Sequence, residues 1–194
     1  MKALNHRRIC GSLALVAGML FCNLLWGSNQ AGTAAQRKSS GRNEGGNPKD
    51  VSSLFRKVQS DLLGKTSVPL RLPTYVPDAG DKENPLYTNL IEANAESYRI
   101  ELGWVEGCLG GNACHYGAIS GGTKAPEEDG AKIPVALRGG VKGYFVDFAC
   151  GAHCGDAVVG WSENGYHYSI ALKAGKKQEL IKMANSALAA GPGR

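Results

Sequence analysis

The stretch GYFVDFACGAHCGDAVVGWSENGYHYSIAL, residues 143–172, decides the fold, because strand alternation, a turn dipeptide and two closely spaced cysteines fall together in it. Asn164-Gly165 is the kind of pair that most readily takes the two positive φ angles of a type I′ hairpin turn. With that turn the register follows: Glu163 faces Tyr166, Trp161 faces Tyr168, Val159 faces Ile170 and Ala157 faces Leu172. The last three pairs are apolar or aromatic, whereas Ser162 with His167, Gly160 with Ser169 and Val158 with Ala171 are small or polar. The hairpin therefore has one core face and one wetter face. Asn164, Gly165, Trp161 and Tyr168 are read as structural residues of this turn and core.

Upstream in the same stretch, residues 144–149 form a strand with Tyr144, Val146 and Phe148 on one side and Phe145, Asp147 and Ala149 on the other. Burying an unpaired Asp147 costs on the order of several kcal/mol, while exposing Phe145 costs about 2 kcal/mol. The expectation is that Tyr144, Val146 and Phe148 face the core, with Phe148 opposite Ala157.

Further out, residues 86–93 and 97–104 read as two strands around a short polar loop, the second with Tyr98, Ile100, Leu102 and Trp104 inward and Arg99, Glu101 and Gly103 outward. Residues 106–112 form a glycine-rich loop, and residues 113–121 a third strand. Residues 123–130 read as a charged, solvated loop and residues 133–138 as a short strand. Val51, Leu54, Phe55, Val58, Leu62 and Leu63 fall on one helical stripe, with Asp50 or Ser52 able to cap its start and Gly64 to end it. Leu180, Ile181, Ala184 and Leu188 make a second helix over residues 176–190, closed by Gly191 and Pro192. Between the first helix and the strands, three prolines in VPLRLPTYVP, residues 68–77, make an edge strand at best or an extended wrap. The architecture expected is α+β: one domain over residues 50–191, an antiparallel sheet of about five or six strands with an N-terminal and a C-terminal helix packed on one face.

Residues 1–35 have the order of an export signal: a basic MKALNHRR, an apolar run over residues 9–26, and small residues at Gly32-Thr33-Ala34-Ala35. The alternative is a membrane tether through uncleaved residues 9–26. Residues 36–49 are polar and glycine-rich with little to bury, as in a flexible linker. Lys2, Arg7 and Arg8, with Arg37, Lys38, Arg42 and Lys49 against Glu44 and Asp50, account for the whole net charge of +5. Residues 51–194 carry no net charge, which leaves no electrostatic footprint for nucleic acid.

VPLRLPTYVP, and GWSENGYHYSIAL followed by KKQELIKMANSAL, resemble a small bacterial domain of unknown function found alone or behind lipoprotein-carrier-like modules in cell-envelope proteins. The cysteine loops GCLGGNACHYG and CGAHCGD look like those of uncharacterised exported cyanobacterial proteins. The resemblance spans roughly residues 68–188 and implies an envelope or exported location. It brings no activity with it.

Candidate chemistry centres on the four cysteines of the domain. In an exported protein Cys108, Cys114, Cys150 and Cys154 are read as two structural disulfides. Loop entropy gives about 2 kcal/mol for a local bridge and about 4 for a long-range one, so geometry has to select the pairing. Gly110-Gly111-Asn112 and the glycines at 151 and 155 let each loop fold back, so Cys108 is expected to bond Cys114 and Cys150 to bond Cys154. His115 and His153 then face solvent. The alternative is a metal site drawn from Cys108, Cys114, His115, Cys150, His153 and Cys154, although C-x5-C and C-x3-C are not the usual zinc-knuckle spacings. A thiol oxidoreductase would need C-x-x-C at a helix start. A hydrolase built on Ser162 would need a strand-to-helix elbow, which Gly160-Trp161-Ser162-Glu163-Asn164 lacks. Ser120-Gly121-Gly122 matches no phosphate loop, and no cofactor is implied. The reading is a non-catalytic exported domain that binds a protein partner or an apolar ligand. N-terminal sequencing of the mature protein is expected to start near Ala35; an intact Met1 in the membrane fraction would show the tether instead.

Overall fold

The structure is a computed structural model, and it describes residues 52–79 and 81–193. The expected export signal, the whole linker, and Asp50 and Val51 of the first helix lie outside the described residues. Seven strands form one antiparallel sheet: β1 (Tyr87–Asn94), β2 (Ser97–Gly103), β3 (His115–Gly122), β4 (Ile133–Ala136), β5 (Lys142–Val146), β6 (Asp156–Glu163) and β7 (Tyr166–Lys173). Their spatial order is β1-β2-β3-β7-β6-β5-β4. The sheet is thus larger than the expected five or six strands. Among the described residues no helix is long and apolar enough to cross a membrane.

The central hairpin has the register that its turn dictates, with Glu163 opposite Tyr166 through to Ala157 opposite Leu172. Asn164 at φ 52° and Gly165 at φ 82° make the turn, and Trp161 stacks on Tyr168 with ring centroids 5.4 Å apart. Both rings are buried.

The neighbouring strand differs from expectation. Phe145, not Tyr144, faces the core, opposite Val159, and Val146 pairs with Val158 on the other face. The expected pairing of Phe148 with Ala157 does not form, because the ladder ends at Val146. This also removes the objection to burying Phe145: Asp147 has left the sheet and is exposed. Tyr144 finds room on the second face because its partner is Gly160, where a side chain would collide with the tyrosine ring.

The helices cover the sheet unevenly. α1 (Arg56–Leu62) is short, follows a 3₁₀ turn at Ser53–Phe55, receives no side-chain cap from Ser52 and packs against β1 at the sheet edge. Leu63, expected on its apolar stripe, lies past its end and is half exposed. α2 (Lys177–Ala190) packs on β6 and β7 and buries Leu180, Met183, Ala184 and Ala187. Residues 68–76 run as an extended wrap, with Val68, Leu70, Leu72 and Val76 all buried. Its backbone is tied to the sheet and to α2: Arg71 N–H donates to Tyr98 Oη (3.0 Å), Tyr168 Oη donates to the Pro69 carbonyl (3.1 Å), and Tyr75 N–H donates to Ser186 Oγ (3.2 Å). Arg71 Nη2 meets Glu163 Oε2 at 2.5 Å.

The connection from β3 to β4 shapes the opposite face. β3 is central and β4 lies beyond β7, β6 and β5, so residues 123–132 have to cover about 19 Å at the usual strand spacing. They cross the face that carries no helix, bringing Gly130 against Val146. At the sheet edges, Ile91 is an unpaired bulge in β1, and β4 contains Pro134.

Phe145→Ala should cost about 3–5 kcal/mol as a core truncation and Tyr144→Ala clearly less. Urea unfolding of the two variants checks this. Equal losses would return Tyr144 to the core face.

Candidate functional site

The face without helices holds a three-membered ionic network at the end where both cysteine loops lie. Glu101 alternates with Ile100 and Leu102 on β2 and so points away from the core. Strict alternation on β3 would put His115 with Gly117 and Ile119 on the core face. A bulge intervenes, since Leu102 pairs with Gly117 but Gly103 pairs with His115, leaving Tyr116 without a partner on β2. The extra residue turns His115 to the face of Glu101, while Tyr116 donates its hydroxyl to the Pro77 carbonyl at 2.9 Å.

His115 Nδ1 then bonds the Glu101 carboxylate, and Nε2 lies 2.9 Å from both oxygens of Asp156, at the start of β6. Carboxylates only accept, so both bonds need a proton on each ring nitrogen, which makes His115 an imidazolium. Its pKa is raised, first by the bond to Asp156 and then by Glu101, against the opposing effect of partial burial. The Glu101 side chain is 1% exposed, that of His115 12% and that of Asp156 26%. Glu101 thus lies on the outward face, as expected, yet is buried there, and the solvent-facing position expected for His115 is wrong. Glu101 is shielded by what the sequence showed only as a glycine-rich loop.

That loop is closed by a Cys108–Cys114 disulfide with Cα atoms 5.9 Å apart. It sits directly on β2: a Cβ at Gly103 would lie 2.6 Å from Cys108 Cβ, and one at Gly110 would lie 3.9 Å from the Glu101 carboxylate. Lys173 Nζ donates to the Asn112 carbonyl and anchors it from β7. Trp104, expected in the core, is 37% exposed with its ring edge-on to Tyr116, and Val105 and Leu109 in the same segment are 52% and 77% exposed. The second loop carries a Cys150–Cys154 disulfide across an antiparallel bridge, with Cα atoms 4.0 Å apart. His153 is exposed at its tip.

Between the second loop and the crossing segment lies a groove of about 590 Å³. Its floor is made of small strand residues, Ala118, Ser120, Ser169 and Ala171. Glu127, Glu128, Asp129, Asp147 and Asp156 line it, with Arg99 as the one cation among its lining residues. Residues 127–129 were expected as a solvated loop, yet Glu128 is half-buried, and that burial raises its carboxyl pKa. Asp156 belongs to both the groove and the His115 network.

The six residues of the metal alternative do not converge. All four cysteine sulfurs are bridged, both nitrogens of His115 face carboxylates, and among the described residues no group of three or more His, Cys, Asp or Glu is placed to hold a metal ion. Ser162 Oγ and His167 Nδ1 are 2.8 Å apart, an exposed cross-strand pair beside the Asn164-Gly165 turn. A separate, more apolar cavity of about 400 Å³ lies between the end of α1, residues 66–70, Pro192 and Gly193, and shares no residue with the ionic network. Compared with protein-family models, curated proteins and solved structures, the chain matches none.

A histidine whose pKa is raised in the folded state stabilises the fold fully below its unfolded value, about 6.5, and that contribution is lost as pH rises through the raised folded value. Urea midpoints of the wild type should therefore fall between pH 6 and pH 9, and those of His115→Gln should stay flatter over the same window. Equal falls would assign the pH dependence to other groups.

Proposed function

We propose that the chain is an exported, non-catalytic domain of the cell envelope or exterior that binds a protein partner across the helix-free face of its sheet. The observation that carries this reading is the presence, on one face, of an apolar loop stiffened by its own disulfide and displaying Leu109 at 77% exposure, and of a groove lined by five carboxylates and one arginine, the two linked through Glu101, His115 and Asp156. An apolar side chain held out in water on a loop that is already rigid gains burial on docking at little ordering cost. The charge of the groove selects an occupant of the opposite sign. The partner is thus a segment bearing basic side chains, with apolar ones beside them. Export rests on the order of basic, apolar and small residues over residues 1–35, and two disulfides support an oxidising compartment.

The test is a titration with a synthetic peptide of alternating lysine and leucine, followed by backbone NMR. Shifts are expected at residues 104–110 and at Glu127, Glu128, Asp129, Asp147 and Asp156. Leu109→Ser should weaken binding roughly tenfold, and raising salt from 50 to 500 mM should weaken it further. Shifts confined to the helix-covered side, or to the cavity beside Leu62 and Pro192, would overturn the reading in favour of an apolar ligand.

A further inference from the structure

Asp156 is placed so that it cannot serve His115 and a groove ligand equally: its two oxygens are both 2.9 Å from His115 Nε2, and the same carboxylate lines the groove. We propose that His115 gates the groove, holding Asp156 while the imidazole carries both protons and releasing it to a cationic occupant when the Nε2 proton leaves for solvent. The proposal rests on the docking reading above and adds its regulation.

The choice of nitrogen follows from burial. A neutral imidazole has one N–H and one bare nitrogen. Were Nδ1 to lose its proton, Glu101 would face a lone pair while shut away from water, at 1% exposure under the disulfide loop. A buried carboxylate without a donor is the costliest arrangement this cluster offers. Asp156, at 26% exposure, can exchange its histidine bond for water or a ligand. The neutral form is therefore the Nδ1–H tautomer, with Glu101 still satisfied and Asp156 free.

The other charged groups around the cluster do not substitute for His115. Lys173, opposite Asp156 on β7, has its ammonium on the Asn112 carbonyl. Arg99, on β2, and Glu128, on the crossing segment, line the same groove. The raised pKa of His115, set first by Asp156, agrees with a proton held by this contact. By linkage, an occupant that takes Asp156 must lower the proton affinity of His115 by the same factor that deprotonation raises its own affinity.

The experiment uses the domain with both disulfides intact and a tetralysine amide as probe, whose side chains stay charged to about pH 9. Between pH 5.5 and 9 its affinity should rise by up to about tenfold per pH unit through the His115 transition and then level off. Saturating peptide should lower the His115 pKa read by NMR. His115→Gln should abolish the pH dependence, and Asp156→Asn should both weaken binding and flatten the profile. Independently of any ligand, imidazole ¹⁵N shifts at high pH should show the Nδ1–H tautomer. An Nε2–H tautomer, or an unchanged pH profile in His115→Gln, would overturn the gate while leaving the docking site in place. Tetralysine that fails to bind at every pH would overturn the docking reading, and the gate with it.

Discussion

The pairing of β3 with β7 is the contact on which the remaining structure depends. Every other neighbouring pair in the sheet consists of strands consecutive in the chain, whereas this ladder sets Gly117 against Leu172 and Ile119 against Ile170. Closing so long a loop costs entropy that grows only slowly with length, about 0.6 kcal/mol per doubling. Ile119 and Ile170, at 1% and 0% exposure, each return roughly 1.5–3 kcal/mol by burial. The same ladder brings His115 at the start of β3 within reach of Asp156 beside the end of β7. It also leaves β4 on the far edge, so that the acidic segment has to cross the open face. Core, ionic network and groove are three results of one strand pairing.

The network itself is a poor source of stability. Burying charges costs several kcal/mol per ion before their mutual attraction is counted, and such clusters often roughly break even. Two carboxylates share one imidazolium here, so the trio keeps a net negative charge beside a groove that is already acidic. What the cluster does supply is position. It ties β2, β3 and β6 together at one end, under a loop whose disulfide contributes about 2 kcal/mol by limiting the unfolded chain.

The parts legible in the sequence are those governed by local rules. Asn164-Gly165 dictates the hairpin register through turn geometry, three prolines dictate the wrap, and glycines inside the cysteine loops let each close on itself. The misreadings come from places where alternation is interrupted. Alternation sets Phe145 on the outer face only if the strand runs on through Asp147, and a strand that stops at Val146 reverses the argument. Alternation alone extends β2 to Trp104, but β2 ends at Gly103. Glu101 gave no signal of burial, since its shielding comes from a loop folded back over it. The bulge that aims His115 is visible only once β2 and β3 are paired, and Asp156 acquires its role only through β7.

Both free margins of the sheet are broken. Ile91 bulges out of β1, and Pro134 removes one backbone donor from β4. Strand margins left regular are templates for another chain, and a kink or a missing donor spoils that template. Molecules meeting margin to margin therefore cannot readily continue one sheet into the next. Fibre-like stacking is thereby discouraged.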